Sequence, residues 1–195
     1  MGHADTTFPR LVSLAAHDLR TPLATIHGFA QTLVRMGDLG EPKQGYVEMI
    51  DAASRQLAEL LDELGLATRI ESGRYEPALL PVDTLELAQH AAEQLGHDRV
   101  VVLGQGREVR VDVEAIQRGV AALVQAALRH GGLEQVEVRV DGAELRISPV
   151  TAASGPVVLG QELRDLGAAV AVKAIRALEG SVDLEGDAVR VILPE

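Results

Sequence analysis

The stretch Tyr46-Val-Glu-Met-Ile-Asp-Ala-Ala-Ser-Arg-Gln-Leu-Ala-Glu-Leu-Leu-Asp-Glu-Leu-Gly-Leu-Ala67 decides how the first third of this 195-residue chain folds. Its apolar residues Tyr46, Ile50, Ala53, Leu57, Leu60, Leu64 and Ala67 alternate spacings of four and three without a break. That is the heptad period of a helix whose apolar seam faces another helix. Toward the N-terminus, Met36-Gly-Asp-Leu-Gly-Glu-Pro42 supplies the glycines and proline of a connection between helices. Before it, Phe8, Val12, Ala15, Leu19, Leu23 (or Pro22), Ile26, Ala30 and Leu33 repeat the same spacing. The two segments predict an antiparallel helical hairpin. Stripes this narrow cannot enclose a core alone, so a second copy is expected to complete a four-helix bundle and make the chain a homodimer.

The chemistry-bearing residues concentrate in the first helix, in Ala16-His-Asp-Leu-Arg-Thr-Pro-Leu23. His17 and Thr21 fall one turn apart on one face, with Asp18 beside them. Imidazole titrates near neutrality, so a neutral ring with a free lone pair is available as a nucleophile. A neighbouring carboxylate can orient such a ring and take its proton, and a hydroxyl one turn on can hold a water. This trio suits phosphoryl chemistry on histidine. His17 lies roughly 200° around the helix from Ala15, which predicts that it faces outward, where a partner can reach it. Pro22 offers no N–H to the carbonyl of Asp18, so a bend or loosening is expected just after His17.

Beyond Ser72-Gly-Arg-Tyr-Glu-Pro77 the periodicity changes. Leu79–Val82 reads as a strand, and Asp83 as the cap of a helix running to about Leu95. Val100–Leu103 and Val109–Val111 read as strands, Asp112 as a cap, and Glu114–Arg129 as a helix closed by Gly131-Gly132. Val136–Val140 and Leu145–Ile147 form a hairpin around Asp141-Gly142. A loop over 148–160, a helix over Glu162–Leu178, and strands Ser181–Leu184 and Ala188–Leu193 complete the chain. The expected class is α+β: residues 1–72 as the helical hairpin, and residues 73–195 as a lobe with helices on one face of a mixed sheet.

Composition narrows the function. The chain carries 29 acidic against 18 basic residues, a formal charge of −11, which argues against nucleic acid or an anionic membrane as partner. Aromatics make up 2% and there is no Trp, so stacking platforms for bases are lacking. With no Cys, thiolate chemistry and disulfides are excluded. No apolar run approaches the ~20 residues of a membrane span, and Met1-Gly-His-Ala-Asp5 lacks the regions of a secretory signal, so a cytoplasmic location is expected. His90, Glu93 and His97 read as a solvated helix face rather than metal ligands, and no metal site is expected. Gly104-Gln-Gly106 reads as a strand turn rather than a phosphate loop. His130 reads as a helix C-terminal residue favourable to the dipole.

Leu14-Ala-Ala-His-Asp-Leu-Arg-Thr-Pro-Leu23 resembles the H-box of two-component sensor histidine kinases, and the hairpin resembles their dimerisation and phosphotransfer domain. Ile70-Glu-Ser-Gly-Arg-Tyr-Glu-Pro77 and Pro81-Val-Asp83 resemble the exit into that family's ATP-binding domain. The resemblance implies that His17 carries a phosphoryl group. It implies that Asp18 acts as base or orients the ring, and that Thr21 positions water for dephosphorylating a partner. Arg20 is implied either to neutralise phosphate charge or to be a solvated surface residue.

In the second lobe the resemblance is one of layout. The family's N-box helix aligns with Ile116–Gly132, but Ala126 stands where the key Asn belongs, with Gln125 beside it. A methyl group cannot coordinate magnesium, which takes oxygen ligands. The Asp-X-Gly-X-Gly turn that recognises adenine aligns with Val150-Thr-Ala-Ala-Ser-Gly-Pro156, which contains no acid. The glycines that hold phosphate at a helix start reduce to one in Leu166-Gly-Ala-Ala-Val170. The expectation is a degenerate ATP-binding lobe with no bound cofactor. The chain would be a phosphotransferase working through phosphohistidine without ATP, between His17 and response-regulator receiver aspartates. An upstream sensor kinase is a further partner. The alternatives are an autophosphorylating kinase core using ATP and magnesium through unusual residues, or a non-catalytic regulatory or phosphatase module.

Overall fold

The computed structural model describes residues 7–36 and 42–194. The chain divides into two compact units, Met1–Gly65 and Leu66–Glu195. The first contains α1 (Thr7–Met36) and most of α2 (Pro42–Glu71), the predicted hairpin. Near the connecting end, the rings of Phe29 and Tyr46 stack with centroids 5.3 Å apart, which joins the two helices. The connecting turn expected from Met36 to Pro42 lies, over residues 37–41, outside the described residues.

Along α1 the expected seam is kept at Ala15 and Pro22, which are buried, and at Leu19, Ile26 and Leu33, which are half-buried. Leu11 is buried as well, while Val12 and Leu23 are exposed. Burial therefore selects Pro22 over Leu23. The missing amide does not end the helix, because α1 runs through Pro22 as one element. On α2, Ala53 and Ala67 are buried, and the other seam residues are half-buried. The side chains of Phe8 and Ala30 lie outside the described residues.

The unit boundary falls inside α2 rather than at residues 72/73. The last turns of this helix belong to the second unit: Leu66 and Ala67 are buried, and Glu71 pairs with Lys173. A heptad pattern continues across such a change of partner and so does not reveal it.

The second unit is built around a five-stranded sheet in the order β2-β4-β5-β7-β6. These strands are β2 (Val100–Gly106), β4 (Val136–Gly142), β5 (Glu144–Ser148), β6 (Ser181–Glu185) and β7 (Ala188–Ile192). The β2–β4 pair is parallel and the others antiparallel, so the sheet is mixed as expected. Alternation along the strands sends Val136, Val138, Val140, Leu145, Ile147, Val189 and Val191 into one face. That face packs with α3 (Thr84–Leu95), α4 (Val113–Gly131) and α6 (Leu166–Ala177) in a single apolar core that includes Leu87, Ile116, Val120, Leu123 and Ile175. A separate antiparallel pair joins β1 (Leu79–Asp83) to β3 (Glu108–Asp112).

Each of these three helices opens on an aspartate. Asp83 accepts from the amide of Leu85 at 2.7 Å, Asp112 from Ala115 at 3.2 Å, and Asp165 from Ala168 at 3.1 Å. Gly132, in the left-handed region, closes α4 as read from Gly131-Gly132. The helix expected from Glu162 begins only at Leu166, because the amides of Gln161 and Glu162 turn back to the carbonyl of Pro156 and Asp165 takes the cap. The expected loop over 148–160 contains the short α5 (Gly155–Val158). Gly104-Gln-Gly106 is not a turn: it extends β2 alongside Val140–Gly142.

Tyr75 makes a second anchor on the α4 cap. Its hydroxyl donates to Asp112 Oδ2 at 2.9 Å while Oδ1 caps the helix. Burial, then the hydrogen bond to Asp112, push the phenol well above its ordinary range. The neutral phenol is thus favoured by folding. Its contribution is complete below the unfolded value near 10 and is lost as pH rises beyond it. Urea denaturation of the wild type and Tyr75→Phe should therefore show a wild-type advantage of about 1 kcal/mol at neutral pH that declines above about pH 10. A difference independent of pH would refute this.

Candidate functional site

His17 sits mid-helix on α1, with its side chain 76% exposed. Arg20, Thr21, Ala24 and Gly28, at helical spacings of three, four, seven and eleven from it, are exposed as well. The buried positions Leu11, Ala15 and Pro22 occupy another side of α1. The outward placement read from the seam is thus the observed one. Ala24 and Gly28 are small, and nothing lies within 4 Å of where a Cβ on Gly28 would be. The surface below the imidazole is therefore low and open.

His17 Nδ1 lies 3.1 Å from Asp18 Oδ1. A carboxylate only accepts, so the ring nitrogen facing it carries the proton. In the neutral ring Nε2 then keeps its lone pair. Asp18, 30% exposed, is more enclosed than the ring it orients. This contact fixes tautomer and ring direction together, leaving one accessible nucleophilic nitrogen. Thr21 keeps its hydroxyl on the exposed face one turn on, and its carbonyl accepts from Thr25 Oγ1 at 3.1 Å.

In the second unit, Ala126 is fully buried on α4, so its methyl belongs to the core, while Gln125 is exposed beside it. At the other aligned position, Thr151 and Ser154 satisfy one another: the Thr151 amide donates to Ser154 Oγ at 3.0 Å, and the Ser154 amide donates to Thr151 Oγ1 at 3.2 Å. Val157 and Val158 of α5 are fully buried. At the start of α6, Asp165 meets His130 Nε2 at 3.2 Å and Arg129 Nη1 at 3.6 Å. Neither Ala126 nor the segment Val150–Pro156 carries a side-chain carboxylate or amide.

Residues 10–73, which contain His17, Asp18 and Thr21, match the His Kinase A (phospho-acceptor) domain. Residues 10–73 are thus a phospho-acceptor domain of the two-component sensor histidine kinase type. It is 31% identical over 171 residues to the histidine protein kinase DivJ of Caulobacter vibrioides, covering 81% of this chain and 28% of that protein. It is 28% identical over 153 residues to the uncharacterized sensor-like histidine kinase R01002 of Rhizobium meliloti, covering 71% of this chain and 29% of that protein. The chain thus spans less than a third of the length of these relatives. Among solved structures, the Acinetobacter baumannii histidine kinase AdeS shares the fold, with a TM-score of 0.66 at 19% identity over 92% of this chain and 98% of that one. The second unit is accordingly a histidine kinase catalytic-domain-like lobe. No helix among the described residues is long and apolar enough to cross a membrane.

The His130–Asp165 contact is absent from the sequence reading, which assigned His130 to the α4 dipole alone. Arg164-Asp-Leu-Gly167 did contain the signal, an aspartate directly before an apolar helical run. His90 pairs with Gln94, 3.0 Å between its Nε2 and the amide nitrogen, one turn along α3.

Proposed function

We propose that this chain is a histidine phosphotransfer protein that relays phosphoryl groups between His17 and the aspartate of response-regulator receiver domains, without using ATP. The exposed His17 ring, held by Asp18 through Nδ1, is the observation that carries the reading. Nε2 attacks the phosphorus of a receiver aspartyl phosphate, the bond to the aspartate oxygen breaks, and the receiver carboxylate is regenerated. Positive charge developing on the ring is balanced by Asp18 across the Nδ1–H bond. Arg20, exposed one turn along α1, can pair with phosphoryl oxygens. Thr21 positions water when a phosphorylated receiver is hydrolysed instead.

The nucleotide-free part of the reading is supported by Ala126, whose methyl is buried in the core, and by the acid-free segment Val150–Pro156. The test is calorimetric titration with magnesium–ATP, for which no saturable heat is expected. A second reading, an autophosphorylating kinase core with an atypical nucleotide site, is favoured by the sequence relatives, which are described as sensor kinases. Label appearing on His17 from ATP would establish it.

We also assign a homodimer, supported by the exposed Val12, Leu23, Val47 and Leu61 on helices of heptad period. Sedimentation equilibrium should return twice the chain mass.

A further inference from the structure

We propose that Asp165 is an internal phosphate surrogate, a closing contact that occupies from within the chain the anion position defined by the start of α6, His130 and Arg129. The inference rests on the nucleotide-free reading above and says how the lobe keeps its order under it. The carboxylate is used on both oxygens. Oδ1 accepts the Ala168 amide at 3.1 Å, and Oδ2 faces His130 Nε2 at 3.2 Å and Arg129 Nη1 at 3.6 Å. A backbone amide at a helix start, an imidazole and, at ion-pair distance, a guanidinium meet this one carboxylate, and these are donor types that otherwise hold a phosphoryl group.

Enclosure agrees with this role. The Asp165 side chain is 11% exposed and that of His130 18%, so the contact is shielded from water and salt, whereas Arg129 reaches it from solvent at 61%. The chain delivers Asp165 by a tight route. The amides of Gln161 and Glu162 turn back onto the Pro156 carbonyl, and a Cβ on Gly160 would stand 3.4 Å from Ala169 Cα. Leu166, the next residue, is buried. In a chain of formal charge −11, the Arg129 guanidinium, the His130 ring and a helix start thus meet one side chain.

The test is a titration of the 195-residue chain with pyrophosphate at constant ionic strength, following the amide signal of Ala168 and the ring signals of His130 by NMR. The wild type should show no saturable shift. Asp165→Ala should show one at both reporters, with affinity at least about tenfold above the wild-type limit. Should Asp165→Ala fail to fold, Asp165→Asn retains a cap oxygen without the charge and should shift in the same direction with a smaller gain. Indifference of the folded variant to pyrophosphate, or an equal response in the wild type, overturns the surrogate role. Uptake of magnesium–ATP by the wild type with Ala168 and His130 unmoved overturns the nucleotide-free reading alone.

Discussion

His17→Gln should abolish phosphoryl transfer from a phosphorylated receiver while leaving the fold untouched. Glutamine keeps size and polarity at a position that is 76% exposed, so stability should change by no more than about 0.5 kcal/mol. Acid-labile label on the chain should fall to background, a loss on the order of a thousandfold or more, because Arg20, Thr21, Ala24 and Gly28, the other exposed residues of that face, offer no imidazole. Two companion variants separate the roles of its neighbours. Asp18→Asn removes the acceptor that selects the Nδ1–H tautomer and should slow labelling by roughly 10- to 100-fold without eliminating it. Thr21→Ala should leave labelling intact and reduce phosphate release from the receiver. Label persisting in His17→Gln at wild-type rate would remove the basis of the proposed function.

Gly104→Ala should be among the most damaging single-methyl substitutions in the second lobe. Gly104 has φ of 108°, where L residues are strained, and pairs with Val140 across the parallel β2–β4 contact. A Cβ there would stand 1.9 Å from the Val140 carbonyl oxygen and 2.9 Å from its carbon, both backbone atoms that cannot turn away. The strands must separate or the turn to Arg107 must refold. The expected loss is about 3 kcal/mol or more in urea denaturation, the sum of backbone strain and overpacking. Gly132→Ala provides the comparison. Its φ is 62° with nothing within 4 Å, so only the conformational penalty applies, and about 1 kcal/mol should be lost. Equal effects at the two positions would show that the close approach to Val140 has no part in stability.

The features legible in the sequence were those with local physical signatures. Heptad spacing placed both helices of the hairpin. Asp83 and Asp112 announced their helices by standing directly before apolar periodic runs, and Gly132 announced the end of α4. The H-box placed His17 on an outward face because 3.6-residue geometry puts it away from Ala15. What the sequence did not disclose depends on long-range partners. Val12 and Leu23 fit the four–three spacing as well as Leu11 and Pro22 do, and only burial distinguishes them. Gly104-Gln-Gly106 carries turn composition, yet pairing with Val140–Gly142 draws it into a strand. Pairing of β1 with β3, apart from the main sheet, has no local cue. Asp165 stands within a segment of helical composition, and although it directly precedes an apolar run, the start of α6 there is fixed by the preceding amides turning back to Pro156.

The central claim is that His17 exchanges phosphoryl groups with receivers and has no need of nucleotide to do so. It is tested most directly by incubating the 195-residue chain, in the absence of ATP, with receiver domains phosphorylated by acetyl phosphate, and mapping the label by mass spectrometry. The expected result is phosphate on His17 within the lifetime of the receiver phosphate, with matching loss from the receiver. A chain that stays unlabelled under those conditions, yet acquires phosphate on His17 when magnesium–ATP is supplied, would contradict the account.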